Sequence, residues 1–85
     1  MKLKPDFSLT YNNLGVVLKS LNKLDEALLT SKKAIELNPE FADAHNNLGV
    51  TYNKLNLYDK AIGSYEKAIS LNPDFPDPYN NLSIV

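Results

Sequence analysis

The chain repeats itself every 34 residues, and this period constrains its fold more than any other feature. Laid over itself at that offset, Ser8–Phe41 matches Ala42–Phe75 at 16 of 34 positions. The matches cluster. Asn12-Asn13-Leu14-Gly15-Val16 recurs as Asn46-Asn47-Leu48-Gly49-Val50, and Leu37-Asn38-Pro39 as Leu71-Asn72-Pro73. A third copy opens at Pro76 and runs through Asn80-Asn81-Leu82. A fixed period of this length means stacked supersecondary units, none of which can bury its apolar face alone. It directs attention to surfaces that bind other molecules and away from catalysis.

Each period reads as two helices. In the first, Tyr11, Leu14, Leu18 and Leu21 recur at spacings of three and four, which aligns them on one face. Their counterparts are His45, Leu48, Tyr52 and Leu55. Asn22 and Asn56 interrupt the pattern, and asparagine tolerates the left-handed conformation that ends many helices. Asp25 and Asp59 follow and suit an N-cap or a first turn. The second helix carries Ala27, Leu28, Ala34, Ile35 and Leu37, repeated as Ala61, Ile62, Ala68, Ile69 and Leu71. Pro39 and Pro73 end it, because proline has no amide to continue the ladder. Helices are expected near 8–21, 25–38, 42–55 and 59–72, with a fifth from 76, each antiparallel to its neighbours. Gly15 and Gly49 lie inside helices, where glycine costs about 1 kcal/mol against alanine, so a close helix crossing is expected there.

Composition removes several function classes. The formal net charge over 85 residues is -1, which argues against a nucleic-acid or membrane partner held by charge. There is no cysteine, so a disulfide framework, a thiolate nucleophile and a cysteine-bound metal are excluded. No apolar run approaches the roughly 20 residues that span a bilayer, and Met1-Lys2-Leu3-Lys4-Pro5 lacks the apolar stretch of a signal peptide. A cytoplasmic location is the expectation. No cofactor or metal is expected either. His45 is the single histidine and has no second histidine or cysteine to join it, so simple packing is its expected role. Asp25, Glu26, Asp59, Glu66 and Asp74 sit at helix starts or on polar faces, where solvation and the helix dipole account for them. Asn81-Leu82-Ser83 fits the glycosylation acceptor pattern, but in an expected helix without a secretion signal.

The residues resemble the tetratricopeptide repeat family. That family has a 34-residue helix–turn–helix unit. Its first helix carries an aromatic, then leucine and glycine, then an aromatic, and its second carries alanine, an aromatic, alanine and proline. The first copy here supplies Tyr11, Leu14, Gly15, Leu18, Ala27, Ser31, Ala34 and Pro39. The second supplies His45, Leu48, Gly49, Tyr52, Ala61, Tyr65, Ala68 and Pro73, and the third Tyr79 and Leu82. Leu18 and Ser31 depart from the pattern by losing aromatic volume, His45 departs from it in the second copy, and Ser83 stands in place of glycine in the third. The resemblance implies an all-α, right-handed solenoid of antiparallel helix pairs, with about two and a half repeats and five helices. Repeat 1 would be 8–41, repeat 2 42–75 and a partial repeat 76–85, with 1–7 the tail of a preceding repeat. The chain thus reads as a segment of a longer array or a minimal one.

The paired asparagines carry the functional expectation. Asn12-Asn13, Asn46-Asn47 and Asn80-Asn81 occupy the same place in all three first helices, and helix propensity does not explain them. In the family the first helices line a concave face. A row of carboxamides there both donates and accepts, as a peptide backbone requires. The row is similar to the asparagine ladder in the repeat domain of O-linked N-acetylglucosamine transferases, which binds the main chain of extended polypeptides. That resemblance implies a ladder of Asn13, Asn47 and Asn81 flanked by Asn12, Asn46 and Asn80. Val16, Val50, Lys19, Lys54 and Asp43 would select side chains. The alternative for the asparagines is that they satisfy nearby helix ends or face water. The family's carboxylate clamp for chaperone C-termini is not expected. Its positions carry Leu9, Asn12, Val16, Asn47, Asp77 and Asn81, and Asp77 would repel a carboxylate. The expected function is therefore a non-enzymatic module that binds a protein or peptide. The rival is a self-assembling repeat that associates through its terminal faces, Leu3 and Phe7 at one end and Tyr79, Leu82, Ile84 and Val85 at the other.

Overall fold

The computed structural model describes residues 7–82. It contains five helices: α1 (Phe7–Ser20), α2 (Leu24–Leu37), α3 (Ala42–Lys54), α4 (Tyr58–Leu71) and α5 (Pro76–Leu82). The architecture is the expected all-α solenoid, with no strand among the described residues. The boundaries fall within a residue or two of those expected. Residues 1–6 of the expected tail of a preceding repeat lie outside the described residues, and Phe7 falls within α1.

The turns form as the asparagines dictate. Among the described residues, Asn22 and Asn56 have positive φ, at 62° and 63°. After α1, the Lys23 amide donates to the Leu18 carbonyl and the Asn22 amide to that of Lys19, each at 2.9 Å. Leu57 and Asn56 repeat the pair on the carbonyls of Tyr52 and Asn53 after α3. This crossed pair closes a helix around a left-handed residue. Asp25 and Asp59 lie in the first turns of α2 and α4, while Lys23 and Leu57 hold the N-cap positions without a side-chain cap bond. At the other end of α2, the Asn38 amide caps on the Ala34 carbonyl and Pro39 follows. The His45 Nε2 donates to the Pro39 carbonyl at 2.9 Å, so the buried imidazole ties the α2–α3 turn to α3.

Packing is asymmetric across the two layers. Each helix packs along its successor after a turn of three or four residues, so neighbours run antiparallel. Successive first helices also touch, α1 with α3 and α3 with α5, whereas α2 and α4 do not. The layer α1–α3–α5 is therefore the tighter, inner side of the curve, and α2 and α4 form the outer side. The core sits in repeat 2, where Leu48, Tyr52, Ala61 and Tyr65 form the buried cluster, with Leu28, Ile35, Val50 and Leu82 packed against it. Gly49 makes room for Tyr65: a Cβ built there would stand 2.5 Å from the ring. In repeat 1 the corresponding partner of Gly15 is Ser31, which fills less space, and its buried hydroxyl has no hydrogen-bond partner.

The two copies of the apolar stripe differ in burial. Leu14 and Leu21 are exposed, although Leu48 is buried and Leu55 half-buried at the matching positions of α3. The exposed large apolar side chains of α1 are Phe7, Leu9, Leu14 and Val17, and Leu21 in the turn that follows is exposed as well. The images of Phe7, Leu14, Val17 and Leu21 one repeat on are Phe41, Leu48, Thr51 and Leu55, in α3 or capping its two ends, and α3 also packs on α2. The described part of α1 has no helix on that side.

Candidate peptide-binding groove

The asparagine pairs sit where the inner helices meet. The Asn47 Nδ2 donates to the Asn12 Oδ1 at 2.9 Å, joining α3 to α1. The Asn81 Nδ2 donates to the Asn46 Oδ1 at 2.9 Å, joining α5 to α3. The two bonds are the same bond shifted by one repeat. Each links a residue to one 35 positions away, a single residue more than the sequence period. The second asparagine of one pair thus reaches back to the first asparagine of the preceding pair.

The flanking asparagines Asn12 and Asn46 are buried and act as acceptors within the stack. Asn47 and Asn81 are half-buried and Asn13 and Asn80 exposed. The sequence signal for the cross-repeat bonds was present in the doublets themselves, since a donor and an acceptor on adjacent residues are what a chain of such links needs. A carboxamide has two N–H donors and an accepting oxygen. Asn47 and Asn81 each spend one N–H on the stack, so each still has a second N–H and an oxygen to offer.

The other site candidates lie on the same helices. Val16 and Val50 are half-buried, and Val50 packs against the core cluster. Lys19 and Lys54 fall in the last turns of α1 and α3, and Asp43 in the first turn of α3, where it is exposed. Burial, and then the charge of nearby Lys54, hold the Lys19 ammonium below the ordinary lysine value. Within the inner layer, α1 and α3 therefore carry a lysine in the last turn and carboxamides before it, with Asp43 towards the N-terminal end of α3.

Residues 42–75 match the model described as the tetratricopeptide repeat, and residues 17–56 match a second model described as the TPR repeat. The chain belongs to the tetratricopeptide repeat family. Tetratricopeptide repeats are generally non-catalytic interaction repeats, and the match supports a protein-interaction or scaffold module. Among solved structures it is similar to a chain titled "Crystal structure of MamA", with a TM-score of 0.86 and 34% identity over 91% of its own length. A second, "Crystal structure of MamA protein", gives 0.85 and 34% over the same share. The chain spans 45% of the first and 42% of the second, less than half of either. No relative is found among curated proteins. Among the described residues, no tetratricopeptide helix is long and apolar enough to cross a membrane, and no group of three or more acidic or histidine side chains could hold a metal.

Proposed function

We propose that the inner layer binds an extended peptide, or an extended segment of a neighbouring domain, through its carboxamides. The observation that carries this reading is the spacing of half-satisfied asparagines along both contacts between first helices. Asn47 and Asn81 are held in place by one hydrogen bond and keep donor and acceptor capacity for a second partner. A backbone presents the complementary donor and acceptor at every residue. Asn13 extends the row at the α1 end. The expected triple replacement of Asn13, Asn47 and Asn81 by alanine removes the ladder, but it also removes both cross-repeat bonds. Asn13→Ala is the cleaner variant, since Asn13 takes part in neither. Against a peptide selected on the wild-type protein, each lost neutral bond should cost roughly 0.5–1.5 kcal/mol of affinity. Circular dichroism should show unchanged helix in Asn13→Ala. Equal affinity in a calorimetric titration of the single and triple variants would remove the ladder from the mechanism.

A second reading is supported by a different observation. The face formed by Phe7, Leu14 and Val17 of α1, with Leu21 just after it, is the repeat image of a face on α3, which packs against α2. A helix pair from a second copy could cover it and continue the superhelix, a head-to-tail contact that stays open. At the far end, Tyr79 is exposed, whereas Leu82 packs against the core cluster of repeat 2. Leu3, Ile84 and Val85, also expected to take part, lie outside the described residues. Sedimentation over a wide concentration range tests this reading, and a constant monomer mass at millimolar protein would end it.

A further inference from the structure

We propose that Lys19 and Lys54 together receive one carboxylate side chain of the bound peptide, so that the groove reads an acidic residue flanked by neutral or basic ones. This rests on the peptide reading above and names the class of peptide that the groove takes.

The placement follows from the register of the inner helices. Lys19 lies seven residues after Asn12, and Lys54 seven after Asn47. Seven residues fall only about 20° short of two full turns, so each lysine stands on the same stripe of its helix as the asparagine below it. The Asn12–Asn47 bond fixes the two helices at one level. Two turns further on, the lysines are therefore opposed across the same contact, and the 35-residue step that relates them is the step of both asparagine bonds. The mutual effect of their charges agrees with this. Among the described residues, the one ion pair is Lys33–Glu36 on α2, and no carboxylate pairs with Lys19 or Lys54. Two opposed ammonium groups, one of them half-buried, repel each other until an anion lies between them.

The span suits a side chain of a peptide seated on the asparagines. Seven residues of helix rise about 10 Å. Helical side chains lean towards the N-terminus, which tips both lysines back over the asparagine rung. A glutamate carboxylate lies roughly 5 Å from its Cα and a lysine ammonium slightly further from its own, so the two close the interval. An extended chain that turns its hydrogen-bonding edge to the carboxamides sends successive side chains in opposite directions along the helices. One points to the lysines. The next points towards Asp43, one turn before Asn47 on α3, where an acidic residue is repelled and a basic one attracted. The groove thus sorts odd from even positions of the peptide by sign.

The test uses three end-blocked nine-residue Ser/Thr peptides with glutamate, glutamine or lysine at the centre. Each is titrated at low salt into uniformly labelled protein, and NMR follows the asparagine carboxamide signals and the amides beside Lys19 and Lys54. The glutamate peptide should bind about fivefold more tightly than the glutamine peptide, the range of a single partly exposed ion pair, and the lysine peptide most weakly. The preference should shrink as salt is raised. Lys19→Gln with Lys54→Gln should lower the glutamate peptide to the level of the glutamine peptide, while Lys19→Arg with Lys54→Arg should retain the gap. Equal binding of the glutamate and glutamine peptides, with carboxamide shifts from both, would overturn the lysine receptor and leave the peptide groove standing. If no peptide moves the carboxamides and sodium acetate moves the lysine region as far as the glutamate peptide does, both readings fail and the pair is a counter-ion site.

Discussion

Ser31 is the residue at which this chain most clearly gives up stability. Its hydroxyl is buried without a partner, in the place where Tyr65 fills repeat 2. An unsatisfied buried hydroxyl costs on the order of 1 kcal/mol or more, so Ser31→Ala should raise the urea midpoint by about 1 kcal/mol of unfolding free energy. Two glycines give opposite expectations. Gly63 lies inside α4 with open space around a Cβ, and Gly63→Ala should stabilise by about 1 kcal/mol through helix propensity alone. At Gly49 the same change drives a methyl into the Tyr65 ring and should cost about 2 kcal/mol by overpacking, read from the same urea melts. Burial holds the Tyr65 hydroxyl above its ordinary value. Its contribution is complete below the unfolded-state value and declines as pH rises through the folded-state value. Lys19 acts in the opposite sense, since its value is lowered and losing its proton relieves the folded state. Alkaline destabilisation should therefore be shallower in Tyr65→Phe and steeper in Lys19→Gln, measured as stability against pH.

At the scale of the element, the punctuation of the chain was legible and the facing of α1 was not. Asn22 and Asn56 announced the helix ends, and both take the left-handed conformation that asparagine tolerates. Replacing Asn22 by alanine should destabilise by about 1 kcal/mol, while Asn22→Gly should be neutral or better, as thermal melts of the two variants would show. Helix boundaries followed because proline and asparagine act through the local backbone. Burial of Leu14 did not follow, because α1 and α3 carry the same apolar pattern and differ only in what lies beside them. Periodicity identifies a face and is silent on whether a neighbour covers it. The asparagine doublets met a similar limit. Adjacent residues on a helix lie about 100° apart, and packing decides which of them turns inward. The sequence placed carboxamides on the inner layer, but their division into buried acceptors and half-buried donors depends on how closely α1, α3 and α5 approach.

For the molecule as a whole, stability should depend on nearest-neighbour contacts between repeats, as in other linear arrays. The buried cluster belongs to repeat 2, so damage there should unfold everything described. Hydrogen exchange should rank α3 and α4 as most protected. The apolar face that α1 exposes among the described residues offers a separate test of association. Leu14→Glu with Leu21→Glu alters two exposed side chains, so the monomer should keep its melting temperature within a few degrees. Any concentration-dependent mass seen by sedimentation in the wild type should disappear in this variant. If association persists unchanged, the contact lies elsewhere.

The two carboxamide bonds have a consequence for how such a chain can grow. Within the middle repeat, Asn46 accepts from the repeat after it while Asn47 donates to the repeat before it. The joint is polar in direction, and every unit carries one half for each side. A gene segment of 34 codons copied in tandem would therefore arrive with both halves of its own coupling, needing no compensating change in its neighbours. Lengthening by duplication then preserves the register of the inner surface, and each copy adds one more rung at the same pitch.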